Sequence, residues 1–78
     1  MVDGVRIVIY PDDHAPPHFH AWKDGREAKF AIETGELIGG ALDRRSLRKV
    51  QQWSALNGDL LMMVWEATRT GSTETTTS

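Results

Sequence analysis

The 78-residue chain contains no cysteine. That excludes a disulfide framework, a thiolate metal site and a cysteine nucleophile. No apolar run approaches the roughly 18 to 20 residues needed to span a bilayer, and the opening MVDGVRIVIYPDD lacks the basic head and apolar stretch of a signal peptide. The expectation is a soluble, cytoplasmic chain without a membrane partner. Neither sign of charge dominates: nine Lys and Arg stand against eleven Asp and Glu, a net charge of −2. Such a balance excludes any general attraction to nucleic acid and leaves only local basic patches to consider. There is no glycine-rich phosphate loop and no G-x-S-x-G, so the common nucleotide-binding and serine-hydrolase signatures are missing. Shortness is the last lack. A chain of about 60 residues buries only about 60% of the surface its unfolded form exposes. Without cysteine to staple it, such a domain is expected to gain stability from self-association, a small protein partner or a metal.

What is present divides into strands and then helices. Val5–Tyr10 (VRIVIY) alternates Val5, Ile7 and Ile9 against Arg6, Val8 and Tyr10, a strand with one apolar face that ends at Pro11. Asp24-Gly25 is the centre of a two-residue type I′ turn. Closing it pairs Lys23 with Arg26, Trp22 with Glu27, Ala21 with Ala28, His20 with Lys29 and Phe19 with Phe30. Opposed residues share a face. One face then holds Phe19, Ala21, Ala28, Phe30 and Ile32; the other holds His18, His20, Trp22, Glu27, Lys29, Ala31 and Glu33. Thr34-Gly35 is expected to make a second tight turn with Ile32 opposite Leu37, followed by a strand over 36–41 in which Gly39 and Gly40 mark a bulge or a close approach.

Asp43 is expected to cap a helix over 44–57, with Leu47, Val50, Trp53 and Ser54 facing inward. Asn57-Gly58 stops it, and Asp59 caps a second helix over 60–69. Leu60–Trp65 is a run of six apolar residues, so this helix is apolar nearly all round and needs burial on more than one side. In so small a domain the second side implies another chain, and Leu61, Met62 and Trp65 are the expected interface. The fold class is therefore α+β: an antiparallel meander of three or four strands packed against a C-terminal helical hairpin. Residues 1–69 form the single domain, and 70–78, in which GSTETTTS offers no apolar group, forms a disordered tail.

The chemistry concentrates in DHAPPHFH, residues 13–20, which holds all three histidines. His18 and His20, two apart on a strand, point to one face, while His14 and Asp13 lie on the loop leading in. That set is a candidate site for a divalent metal such as zinc, and the three histidines are the only candidates for catalytic groups. Against it, Lys29 falls opposite His20, and a cation beside a metal is unfavourable. The plain alternative is a loop whose histidines cap backbone groups or stack on Trp22 and the prolines. Tyr10, Trp22 and the histidines would make a stacking platform for bases or a proline-rich peptide unless the helices cover that face. Arg44, Arg45, Arg48 and Lys49 project from one side of the first helix, where they can touch phosphates or an acidic partner, or simply be solvated.

Taken together, the opening strand, PPHFHA (16–21), TGELIGG (34–40), LRKVQQW (47–53) and LLMMVWEA (60–67) resemble the domain-of-unknown-function family 4160, a group of small bacterial proteins. The resemblance implies a partner more than a reaction. Members are often encoded beside another small uncharacterised protein, and such pairs are sometimes classed as toxin–antitoxin modules with this member as the toxin. It supplies no catalytic residue. The expected function is a non-enzymatic interaction module, with a metal-dependent hydrolase or ribonuclease using His14, His18 and His20, or a nucleic-acid binder using the basic helix face, as the alternatives.

Overall fold

A computed structural model describes residues 4–11 and 14–70, with side chains through Thr68. Four strands, β1 (Arg6–Val8), β2 (His18–Lys23), β3 (Arg26–Ala31) and β4 (Leu37–Gly40), form one antiparallel sheet in chain order. Two helices follow, α1 (Arg44–Leu56) and α2 (Gly58–Thr70). The architecture is the expected α+β meander with a helical hairpin. Of the expected tail, 71–78 lie outside the described residues, and Thr70 ends α2.

The β2–β3 hairpin has the register read from the sequence, pair for pair from Lys23↔Arg26 to Phe19↔Phe30 and on to His18↔Ala31. Asp24 and Gly25 both have positive φ, 51° and 78°, as a type I′ turn requires. Phe19, Ala21, Ala28, Phe30 and Ile32 are buried on one face together with Val5. Helix α1 lies on this face: Val50 joins the same cluster, and the Trp53 ring meets Phe19 edge-on at 6.0 Å. Full burial of a phenylalanine stabilises by about 1.5–3 kcal/mol, so the stacked Phe19–Phe30 pair, 5.3 Å between centroids, is the centre of the domain.

The link between β3 and β4 differs from expectation. Leu37 pairs with Phe30, not with Ile32, and Lys29 pairs with Gly39, so the register shifts by one residue at Ile38. The cause lies in the wider loop. The Ile32 N–H donates to the Pro17 carbonyl (3.0 Å), which keeps the chain on β2 one residue beyond β3 and places the Ile32 side chain in the core. Ala31 N–H to Glu36 O (2.9 Å) and Gly35 N–H to Ala31 O (2.8 Å) then close a loop too long for a two-residue turn. At the far end of β4, Gly40 has φ +70°, Ala41 N–H donates to the Glu27 carbonyl at 3.0 Å, and a Cβ on Gly40 would overlap that same oxygen.

Asp43 caps α1 as expected, its carboxylate accepting from Ser46 N–H at 3.0 Å. The helix ends one residue early, at Leu56, and α2 begins two residues early, at Gly58. Asn57 alone separates them: its N–H donates to Ser54 O, its side-chain amide to Trp53 O, and its carbonyl accepts from Leu61 N–H. Asp59 therefore sits inside the first turn of α2, where a carboxylate is favoured by the helix dipole. The helices do not both cover the histidine face. From α2, Trp65 reaches His18, with 5.3 Å between ring centroids.

Candidate functional site

The histidine face is built by β2 and β3. His18 and His20 project from it as the two-residue spacing demands, yet both are buried, at 8% and 5% exposure. Their neighbours account for this. Trp65 packs on His18, the His18 and His20 rings lie 5.2 Å apart, and Tyr10 meets His20 edge-on at 4.6 Å. Trp22, on the same face and half-buried, donates its indole N–H to the Tyr10 hydroxyl at 3.2 Å.

Each histidine is held through Nδ1. His18 Nδ1 is 2.7 Å from the Pro16 carbonyl, which can only accept, so the proton sits on Nδ1. The Ala15–Pro16 peptide is cis. His20 Nδ1 is 2.5 Å from Glu27 Oε2, a carboxylate that accepts in the same way. Glu27 is the residue across the hairpin from Trp22 and diagonal to His20, close enough for side chains to meet. A carboxylate or backbone carbonyl behind Nδ1 is the arrangement that orients imidazoles acting as bases or as metal ligands. Sequence reasoning placed Glu27 on this face without pairing it to His20; the diagonal cross-strand position was the available signal.

His14 is exposed and lines a depression of about 290 Å³ together with Ala15, Pro16, His18, Lys29 and Ile38. Asp13 lies outside the described residues. Among the described residues no group of three His, Cys, Asp or Glu side chains converges as a metal set. Lys29 is opposite His20 in register, but its methylenes lie over Gly39 of β4, where a Cβ would stand 3.5 Å from Lys29 Cδ.

The cations of α1 form a second surface. Arg44, Arg45, Arg48 and Lys49 are all exposed. Arg44 and Arg45 stand in the first turn, where the dipole disfavours positive charge, and Arg48 and Lys49 follow one turn on. Lys23, which the sequence reading left out, joins them. Its Nζ donates to Ser46 Oγ at 2.6 Å and to Asp43 Oδ1 at 3.3 Å, and with Arg45, Ser46 and Lys49 it lines one depression. Arg44, Arg45, Arg48, Lys49 and Gln52 line the next. The two hydrogen bonds from Ser46, assisted by Lys23, pull the Asp43 carboxyl down from 3.8 to about 2.

The third surface is α2. Leu61 and Trp65, expected at an interface, are buried in the chain's own core, and Met62 is half-buried. The apolar groups facing solvent are Leu60 (54% exposed), Met63 (68%), Val64 (41%) and Ala67, which recur at i, i+3, i+4 and i+7 and so form one stripe. Leu56, at the end of α1, is 86% exposed. No helix among the described residues is long and apolar enough to cross a membrane.

Comparison with known families matches residues 4–66 to the model of a domain of unknown function, DUF4160. Neither the comparison with curated proteins nor that with solved structures returns a match.

Proposed function

The chain belongs to the DUF4160 family, whose description carries no activity, and we propose on physical grounds that it is a small interaction module that docks another protein chain through the outer face of α2. One observation carries this reading. Leu60, Met63, Val64 and Ala67 are a continuous apolar stripe left exposed on a helix whose opposite side, Leu61 and Trp65, is already core. Contiguous apolar surface of this kind marks sites of association. The partner is a second copy or a small protein encoded beside it, which accords with the toxin–antitoxin-type pairing that the family resemblance implies.

Leu60→Asp with Met63→Asp tests the reading, because both side chains are exposed and neither contributes to the core. The double variant is expected to keep the far-UV spectrum and the melting temperature of the unassociated chain. It should elute as a monomer where the unaltered protein, alone or co-expressed with its neighbour, elutes as a complex. Unaltered protein that remains monomeric under both conditions would sink the reading.

A second reading has its own support. Five cations, Lys23 at the end of β2 and Arg44, Arg45, Arg48 and Lys49 on α1, line two depressions that share Arg45 and Lys49 on an otherwise slightly acidic chain. Contact with a phosphate backbone or an acidic partner would account for them. Arg45→Glu with Lys49→Glu should then abolish RNA retention while leaving the melting temperature unchanged.

A further inference from the structure

We infer that the arginine face of α1, Arg44, Arg45 and Arg48, grips the phosphates of double-stranded nucleic acid without reading its bases. This rests on the second reading of the function, that the basic face of α1 meets an anionic partner, and is independent of the α2 face.

Arg44, Arg45 and Arg48 are exposed, and among the described residues none of the three has a hydrogen bond or an ion pair. Helix α1, RRSLRKVQQWSAL, contains no acidic residue. Arg44 is followed one turn on by Arg48, and Arg45 by Lys49, and like-charge pairs at that spacing weaken a helix. A bound polyanion would offset this repulsion. Lys49 lines the same surface but has an interaction of its own, and Lys23 is held by Ser46 and Asp43. The three arginines are therefore the cations left to a ligand.

The lining favours nucleic acid over protein. One depression, about 510 Å³, is bordered by Arg44, Arg45, Arg48, Lys49 and Gln52, and the next, about 350 Å³, by Lys23, Arg45, Ser46 and Lys49. Neither border holds an apolar residue. Protein interfaces have a core depleted of charged side chains, whereas phosphate contacts are made by arginine, lysine, serine and glutamine. The arrangement is also linear. Arg44, Arg48 and Gln52 recur every four residues, about 6 Å apart along the axis, with Arg45 and Lys49 beside them. Because they share Arg45 and Lys49, the depressions form one track, which suits successive phosphates better than a single small anion.

The lack of aromatic groups selects the duplex. Proteins that hold single strands stack the bases on aromatic rings, and no such ring lines the track. Tyr10 is the one exposed Phe, Tyr or Trp among the described residues, and it lies against His20 on the histidine face. Helix α1 packs on the opposite, Phe19 face. A duplex presents its phosphates with the bases already stacked, so guanidinium–phosphate contact suffices and sequence is not read.

The test is fluorescence anisotropy of the full chain with short labelled DNA and RNA duplexes of unrelated sequence, beside the corresponding single strands and polyglutamate. Either duplex is expected to bind without sequence preference. With one phosphate contact per arginine, affinity for the DNA duplex should fall about 40-fold between about 50 and 200 mM salt. Arg44→Gln and Arg48→Gln should each weaken binding and reduce the slope of log affinity against log salt by about 0.9. The melting temperature of the free variants should stay unchanged or rise, as like-charge repulsion is relieved. Binding to none of these polyanions would remove the second reading and this inference together. Single strands or polyglutamate bound as tightly as duplex, or a salt slope unmoved by the two substitutions, would leave that reading standing and overturn the duplex assignment.

Discussion

Asp43 ties the hairpin tip to α1: its carboxylate caps the helix through Ser46 N–H and meets Lys23 from the end of β2. Its folded pKa of about 2 lies below the ordinary 3.8, so the carboxylate form is preferred in the folded chain. The stabilisation is fully present above the ordinary value and is lost as pH falls through the folded one. Melting temperatures measured from about pH 5 down to about pH 2 should decline over that window, and Asp43→Ala should flatten the decline while lowering the plateau. Ser54 behaves oppositely. Its Oγ is buried on the inner side of α1 and has no hydrogen-bond partner among the described residues. Leaving a buried polar group unsatisfied costs about 1–3 kcal/mol. Ser54→Ala is therefore expected to raise stability by on the order of 1 kcal/mol in urea denaturation, and a loss of similar size would show that the hydroxyl is satisfied in solution. The Asp43 cap was legible from its place before an amphipathic run. The missing partner of Ser54 was not, since serine on an inward stripe reads as tolerated packing until its neighbours are known.

At the scale of elements, the β2–β3 hairpin was readable because two independent signals coincide. Asp24-Gly25 suits positive φ at both central positions, and Phe19, Ala21, Ala28 and Phe30 then fall on one face. The β3–β4 connection misled because Thr34-Gly35 looks like the same device, whereas Ile32 is drawn into the core and bonded to Pro17, which a two-residue turn cannot accommodate. Gly40 closes that region. Its φ of +70° and the overlap a Cβ would have with the Glu27 carbonyl make Gly40→Ala strongly destabilising. Thermal melting should show a loss well beyond the about 1 kcal/mol that Gly→Ala changes in ordinary positions move, and an unchanged midpoint would mean that β4 does not approach β3 as described. Helix α2 was recognisable as apolar nearly all round, which led to the expectation of burial on two sides; in the chain itself one side is core and the other is exposed. Which residues serve which side depends on where α1 stops. With Asn57 as the sole link, Leu61 and Trp65 turn inward while Leu60, Met63 and Val64 remain outside.

For the molecule as a whole, small size sets the terms. Net folding stability in domains is about 5–15 kcal/mol, and a chain this short lies toward the low end. If the outer face of α2 is covered by another copy, association adds to stability by mass action, and the melting temperature must rise with protein concentration. A calorimetric series over a hundredfold range of concentration is expected to show that rise, and the Leu60→Asp, Met63→Asp variant to show none. The charge distribution belongs to this scale too. The small net charge conceals one basic side, where the α1 cations and Lys23 come together with the Asp43 carboxylate among them.

The amino-acid sequence by itself determined what depends on local periodicity and turn chemistry: the strand-then-helix order, the hairpin register, the cap at Asp43, the core face around Phe19 and Phe30, and the common face of His18 and His20. Only the tertiary structure decided what depends on long-range closure. It joined Glu27 to His20 and Pro16 to His18, buried both rings under Trp65 and Tyr10, brought Lys23 to the basic face of α1, and sorted the apolar side of α2 into core and surface. The physical reason is that alternation and turn geometry are set within a few residues along the backbone. The partner of a side chain, by contrast, is set by which distant element packs against it.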